Sequence, residues 1–318
     1  MDIFNHKHYL DNHLLQETPK EELFDWQILF IKRKKIFKKF QFMIFFDNQL
    51  LFNEAKKDIS IQFLQNEIVF SNQSNNHCYI LYFHSNKTPI KKFYFHGNNQ
   101  IIIENIAISK SFSDLSIYNK GQNEIYFISE HISQQLFYQK INFFSSDNLN
   151  LYFIQKPHLQ KEKNEIYCFI SEKTTLKSKH IVWTKEIQLQ DDSVEVFHKK
   201  NSISHLSYLG LNQGKIVSQF NSVIEKESSY CETYQKINHI LLTSSAKSFC
   251  KPNLVIQNKN VVASHGNTIG KIQQEDLFYL NQRGISDIEA KKMILISKIQ
   301  SELKDSNIQK QFLQFLEI

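Results

Sequence analysis

"HIVWTKEIQLQ" (residues 180–190), followed two residues later by "SVEVFHK" (193–199), decides the fold class. Both runs alternate apolar and polar side chains, the period-2 signature of strands with one buried face. The pattern recurs upstream in "EIYFIS" (124–129), "LNLYFIQ" (149–155) and "EIYCFIS" (165–171). Downstream it returns in "KIVSQFNSVIEK" (215–226), "NHILLT" (238–243) and "NLVIQ" (253–257). Onsets come roughly every ten to fifteen residues, and no helical periodicity intervenes. The chain is therefore mainly β. Periodicity admits either a sandwich or a parallel β-helix, since no strict repeat motif is visible.

The flanks read differently. Residues 1–40 predict a helical region, with Phe24, Ile28 and Ile31 on one face and Glu21 and Glu22 ahead of the basic residues, an order that suits the helix macrodipole. Residues 41–270 are the β core. Residues 271–318 are helical again: "QQEDLFYLNQRG" predicts a helix stopped at Gly284, and Ser286 to Glu289 has capping-box spacing. "IQKQFLQFLEI" adds a last amphipathic piece through Ile308, Phe312, Phe315 and Leu316.

Bulk properties narrow the function classes. A chain of 318 residues can bury one large core, and its net charge of +6 is modest. No segment approaches the ~20 apolar residues of a membrane span, and the start lacks the order of a signal peptide. Cys78, Cys168, Cys231 and Cys250 are scattered without a C-x-x-C pair, which predicts ordinary thiols and a cytoplasmic setting. The basic run "IKRKKIFKKF" (31–40) spaces Ile36, Phe37 and Phe40 as a buried face with solvated lysines, so neither nucleic acid nor membrane is expected as a partner. His6, His8 and His13 read as a solvent-exposed terminus. No G-x-S-x-G elbow or paired acids point to catalysis.

"SHGNTIGK" (264–271) ends like a phosphate-binding loop and fails as one. Three residues separate Gly266 from Gly270 where four are needed, and Ile272 stands where Ser or Thr would hold magnesium. His265 remains, either as a packing or capping histidine or as a neutral imidazole ligand.

The longer stretch "KPNLVIQNKNVVASHGNTIGKIQQEDLFYLNQRGIS" (251–286) resembles the end of the SufB/SufD family of iron–sulfur cluster assembly proteins. Lys251-Pro252, Ser264-His265-Gly266, Thr268, Gly270, Leu277-Phe278-Tyr279-Leu280 and Arg283-Gly284-Ile285 carry the resemblance. Gln235, Asn238, Leu241 and Leu242 extend it upstream. Gly266 after the histidine, and Lys236 where SufB-like chains have cysteine, place the resemblance nearer SufD.

The resemblance implies a right-handed parallel β-helix flanked by helical regions, and a non-catalytic scaffold subunit rather than an enzyme. It implies pairing with a SufB-like paralogue through the end of the β-helix, at Gln235, Val262 and Thr268. A SufC-like ABC ATPase is expected on the C-terminal helices, at Leu277, Phe278, Tyr279, Arg283, Gly284 and Met293. His265 is the implied ligand for iron or for a transient Fe–S cluster shared with the partner. Ala263 departs from the pattern, which often has cysteine there, as do Asn267 and "QNKN" (257–260). A SufB-like cluster acceptor acting as a homodimer is the alternative, and a carbohydrate-active β-helix enzyme a remote one.

Overall fold

The computed structural model describes residues 26–47, 49–54, 59–64, 67–72, 76–84, 91–107, 112–131, 137–155, 161–303 and 309–315. Among them are nineteen strands, numbered from β1 (Gln41–Phe46) to β19 (Val261–Lys271). Apart from the first four, strands that follow one another in the chain fall in opposite sheets. β1 and β2 (Gln49–Asn53) join the odd-numbered strands after β3 (Ile59–Leu64) in a ten-stranded sheet, and β3 joins the even-numbered strands after β2 in a nine-stranded sheet. Pairing is parallel except for β1–β2 and for β3 against β4 (Glu67–Asn72). The chain thus coils as a parallel β-helix, which resolves the choice that periodicity left open. The register advances 24 residues from Gln100 to Glu124, 28 from Thr175 to Ile203 and 30 from Cys231 to Val261.

Each sheet's burial explains its sequence. In β12 (Lys161–Ile170), β14 (Leu189–His198) and β16 (Lys215–Ile224), buried and partly exposed residues alternate because only one face meets the interior. The other face of that sheet carries a ladder of Tyr94, Tyr118, Phe144, Phe169 and Phe197, near-parallel rings 4.5 to 4.9 Å apart. The ten-stranded sheet is covered on both faces. Outside, Phe42, Ile44, Tyr79, Leu81, Ile102, Tyr126 and Ile181 pack with Phe30 and Phe37, and with Leu295, Ile299 and Leu303. Continuous apolar runs such as "FMIFF" (42–46) follow from that double coverage.

The covering helices are α1 (Trp26–Ile36), α2 (Gln274–Asn281) and α3 (Asp287–Leu303), with α4 (Gln309–Phe315) following. On α1 the buried face differs from the sequence expectation: Ile28 is 51% exposed, whereas Phe30 and Arg33 are buried; Phe37 and Phe40 just beyond it are buried as expected. The cause is an inward arginine. Arg33 pairs with buried Glu104 on the ten-stranded sheet at 2.7 Å, and the Tyr79 hydroxyl donates to the same carboxylate. The basic run is therefore not wholly a solvated face. Phe24, Ile308, Leu316, His6, His8 and His13 lie outside the described residues, as do the side chains of Phe312 and Phe315.

At the other end the helix signals act as read. Gly284 adopts φ +82°, its N–H donating to Asn281 O at 2.9 Å while Ile285 N–H reaches Leu280 O at 3.3 Å, a Schellman closure. The Glu289 N–H donates to Ser286 Oγ at 3.4 Å and the Ser286 N–H to Glu289 Oε2 at 3.3 Å, which completes the capping box.

Candidate functional site: the open C-terminal rung

The last rung is β18 (Lys247–Ile256) with β19. Each is the final strand of its sheet: β18 pairs only with β16, and β19 only with β17 (Cys231–Leu241). Among the described residues, then, both sheets end on a strand with one unpaired edge. Such an edge presents a row of free N–H and C=O groups that invite another strand.

Parallel in-register pairing keeps paired side chains on one face of the sheet. Thr233, Gln235, Ile237 and His239 point into the β-helix and are buried, so their partners Ala263, His265, Asn267 and Ile269 also face inward. On the opposite sheet, buried Ile216, Ser218 and Phe220 set Ser248, Cys250 and Pro252 inward. Among the described residues no further rung covers these positions, and His265 is exposed. Asn267 Nδ2 donates to Cys250 Sγ at 3.0 Å and so ties the two sheets together across the opening.

Below the opening the interior is polar and connected. His198 Nε2 meets Ser204 Oγ at 3.0 Å, Ser204 meets Thr233 Oγ1 at 2.8 Å, and Thr233 meets Ser222 Oγ at 2.7 Å. Gln235 Nε2 then donates to Ser222 Oγ at 2.8 Å and to Asn253 O at 3.0 Å. Gln235 lies directly beneath His265, and its Oε1 is buried with no hydrogen-bond partner.

Thiol chemistry is confined to one cysteine. Burial pushes the Cys78 and Cys168 thiols up to about 12. Cys231 is buried and donates toward Lys199 O at 3.1 Å. Cys250 alone of the four reaches solvent. Among the described residues, no group of three or more His, Cys, Asp or Glu could hold a metal. His265 and Cys250 are the histidine and the cysteine whose strands border the opening.

The structure separates the other sequence-predicted residues. Val262 and Thr268 are exposed on the outward face of β19. Gln235 is only 3% exposed and belongs to the interior network, so it offers no side chain to a partner. Leu277 is likewise buried, at 7%, because it packs on the inner side of α2. Neither side chain is exposed on the surface of this chain. Phe278 (63% exposed), Tyr279, Met293 (48%), Arg283 and Gly284 stay accessible, and the Arg283 guanidinium lies 4.5 Å from the Tyr279 ring centroid. Ile288, 81% exposed at the start of α3, joins this apolar surface and was not foreseen. Cys250 was missed too, although its alternate spacing with Ser248 and Pro252 on a strand carries the inward parity.

This rung lies inside a recognisable module. Residues 161–297 match the family model described as "SUF system FeS cluster assembly, SufBD core domain". Over that stretch the chain is similar to the SufB/SufD family. It is 28% identical over 150 residues to the iron–sulfur cluster assembly protein SufD of Escherichia coli, covering 45% of this chain and 35% of that one. The Bacillus subtilis SufD is 25% identical over 146 residues, 44% of this chain and 33% of the relative. The iron–sulfur cluster assembly SufBD family protein ycf24 of Galdieria sulphuraria is 27% identical over 118 residues, 36% and 53% respectively. The similarity thus spans about half the length of the Galdieria sulphuraria relative and about a third of the two SufD proteins. No helix among the described residues is long and apolar enough to cross a membrane.

Proposed function

We propose that this chain is a SufD-like, non-catalytic scaffold subunit for iron–sulfur cluster assembly. It pairs with a SufB-like chain through the open rung and presents α2 and α3 to a SufC-like ABC ATPase. The observation that carries the reading is the open end itself: two unpaired strand edges within the SufBD core match, with the His265 imidazole exposed between them. Strand edges supply affinity without side-chain specificity, and a joined edge brings His265 beside whatever donors the partner offers. Iron or a nascent cluster is cargo here, held by ligands from two chains, so its retention depends on how the subunits sit. The apolar surface of Phe278, Tyr279, Ile288 and Met293 suits docking on an ATPase whose closure would move that seam.

Co-expression with the SufB- and SufC-like chains of the same genome tests the reading. One stable complex is expected, with His265→Ala assembling normally but losing iron and acid-labile sulfide. Recovery of the chain as a monomer indifferent to both partners would reject the proposal. A homodimer that reconstitutes a cluster alone would favour an acceptor role instead.

A further inference from the structure

We infer that the Cys250 thiol is the sulfur donor of the open rung, acting with His265 on the iron or cluster held at the seam; this rests on the function proposed above. Position 263, two residues before the histidine, is alanine, so β19 itself offers no thiol. The opposite strand supplies one. Cys250 faces inward from β18, it is the one cysteine of the chain that reaches solvent, and its sulfur already meets Asn267 Nδ2 at 3.0 Å. An amide that donates to sulfur stabilises negative charge there, which is what a thiolate bound to metal carries. Asn267 is two residues from His265 on the same face of β19, about 7 Å along the strand. Imidazole and thiol therefore border the same opening from the two sheets.

A second observation bears on the imidazole. Gln235 Oε1, buried beneath His265 and without a partner, is an acceptor waiting for an N–H. A His265 ring N–H turned inward would satisfy it and would leave the other ring nitrogen, with its lone pair, facing the seam. Gln235 is thus a positioning residue. Metal binding here releases the Cys250 proton to solvent and needs no oxidant.

The test uses the full-length chain, alone and in its complex. Alone, without denaturant, a disulfide reagent should find one fast-reacting thiol in the wild type and in Cys168→Ser, and none in Cys250→Ser. In the purified complex, Cys250→Ser and Cys250→Ala should melt as the wild type does and assemble normally. Both should lose iron and acid-labile sulfide by about tenfold or more, together with the thiolate-to-iron absorption. A Cys250→Ser complex with wild-type iron, sulfide and spectrum would overturn the inference and leave the scaffold reading standing. A wild-type complex devoid of iron and sulfide would instead reject cluster handling at the seam, and the role of Cys250 with it.

Discussion

Acid should loosen this β-helix well above the pH at which carboxylates titrate, and three interior histidines set the size of the effect. His180, His198 and His239 are buried, and burial lowers their pKa values to about 3, 4 and 4. Each is neutral and bonded to serine: His180 to Ser178 at 2.8 Å, His198 to Ser202 at 2.9 Å and His239 to Ser218 at 3.0 Å. An unfolded histidine takes up its proton near pH 6.5. The unfolded state therefore gains protons first, and stability is lost as pH falls below that value. Between pH 7.5 and 5 each histidine withdraws about 2 kcal/mol, about 6 kcal/mol for three. Asp192 opposes them. Desolvation raises its carboxyl to about 7 against the donors Tyr208, Gln190 and Asn164, so the folded state takes up that proton first. This returns about 2–3 kcal/mol over the same interval. The net loss is about 3–4 kcal/mol. Urea unfolding followed by tryptophan fluorescence at pH 7.5 and 5.0 measures it, and His180→Gln should shrink the difference by about 2 kcal/mol. Unfolding free energy that is flat or rising toward pH 5 would refute the claim that these histidines are neutral in the fold.

Two other substitutions probe the framework. Arg33→Met strands the Glu104 carboxylate in the layer beneath α1 and should cost about 3–5 kcal/mol in urea unfolding, whereas adding Glu104→Gln should recover most of it. Gly284→Ala meets no atom within 4 Å, so only its φ of +82° is penalised; a loss of about 1–2 kcal/mol, read as weakened α2–α3 protection in amide exchange, is expected.

What the sequence discloses follows from which faces meet water. Alternation is plain in β12, β14 and β16 because solvent enforces it on one side, and blurred at Phe42–Phe46 and Ile101–Ile103 because helices cover the second side. The coil leaves no readable repeat because its register advances by 24, 28 or 30 residues at different heights. Gly284 and Ser286 act through their neighbours in the chain, and local signals of that kind survive without a fold. Cys250 does not. Its meaning depends on strand parity, on the sheet opposite and on which rung is last, all non-local facts. Gln235 and Leu277 show the converse: residues that match a motif can serve packing as readily as contact, and burial alone tells the two apart.

The interior changes character along its length, and that change suits the seam proposed at the open end. Toward the first rungs it is filled by Phe45, Ile80, Phe93, Ile103 and Phe127, whose burial drives folding without fixing any polar geometry. Toward the last rungs Ser204, Ser218, Ser222, Thr233, Gln235 and His239 take over. An apolar interior carried to the open end would leave a bare greasy face, prone to indiscriminate association. A hydrogen-bonded interior tolerates the proximity of water and orders its members more sharply than packing does, because each bond has a direction. Running from His198 through Ser204, Thr233 and Ser222 to Gln235, it delivers that direction to the floor beneath His265. On the proposed reading the strand edge attracts a partner, and the network forms the floor beneath the imidazole that would meet the partner's ligand.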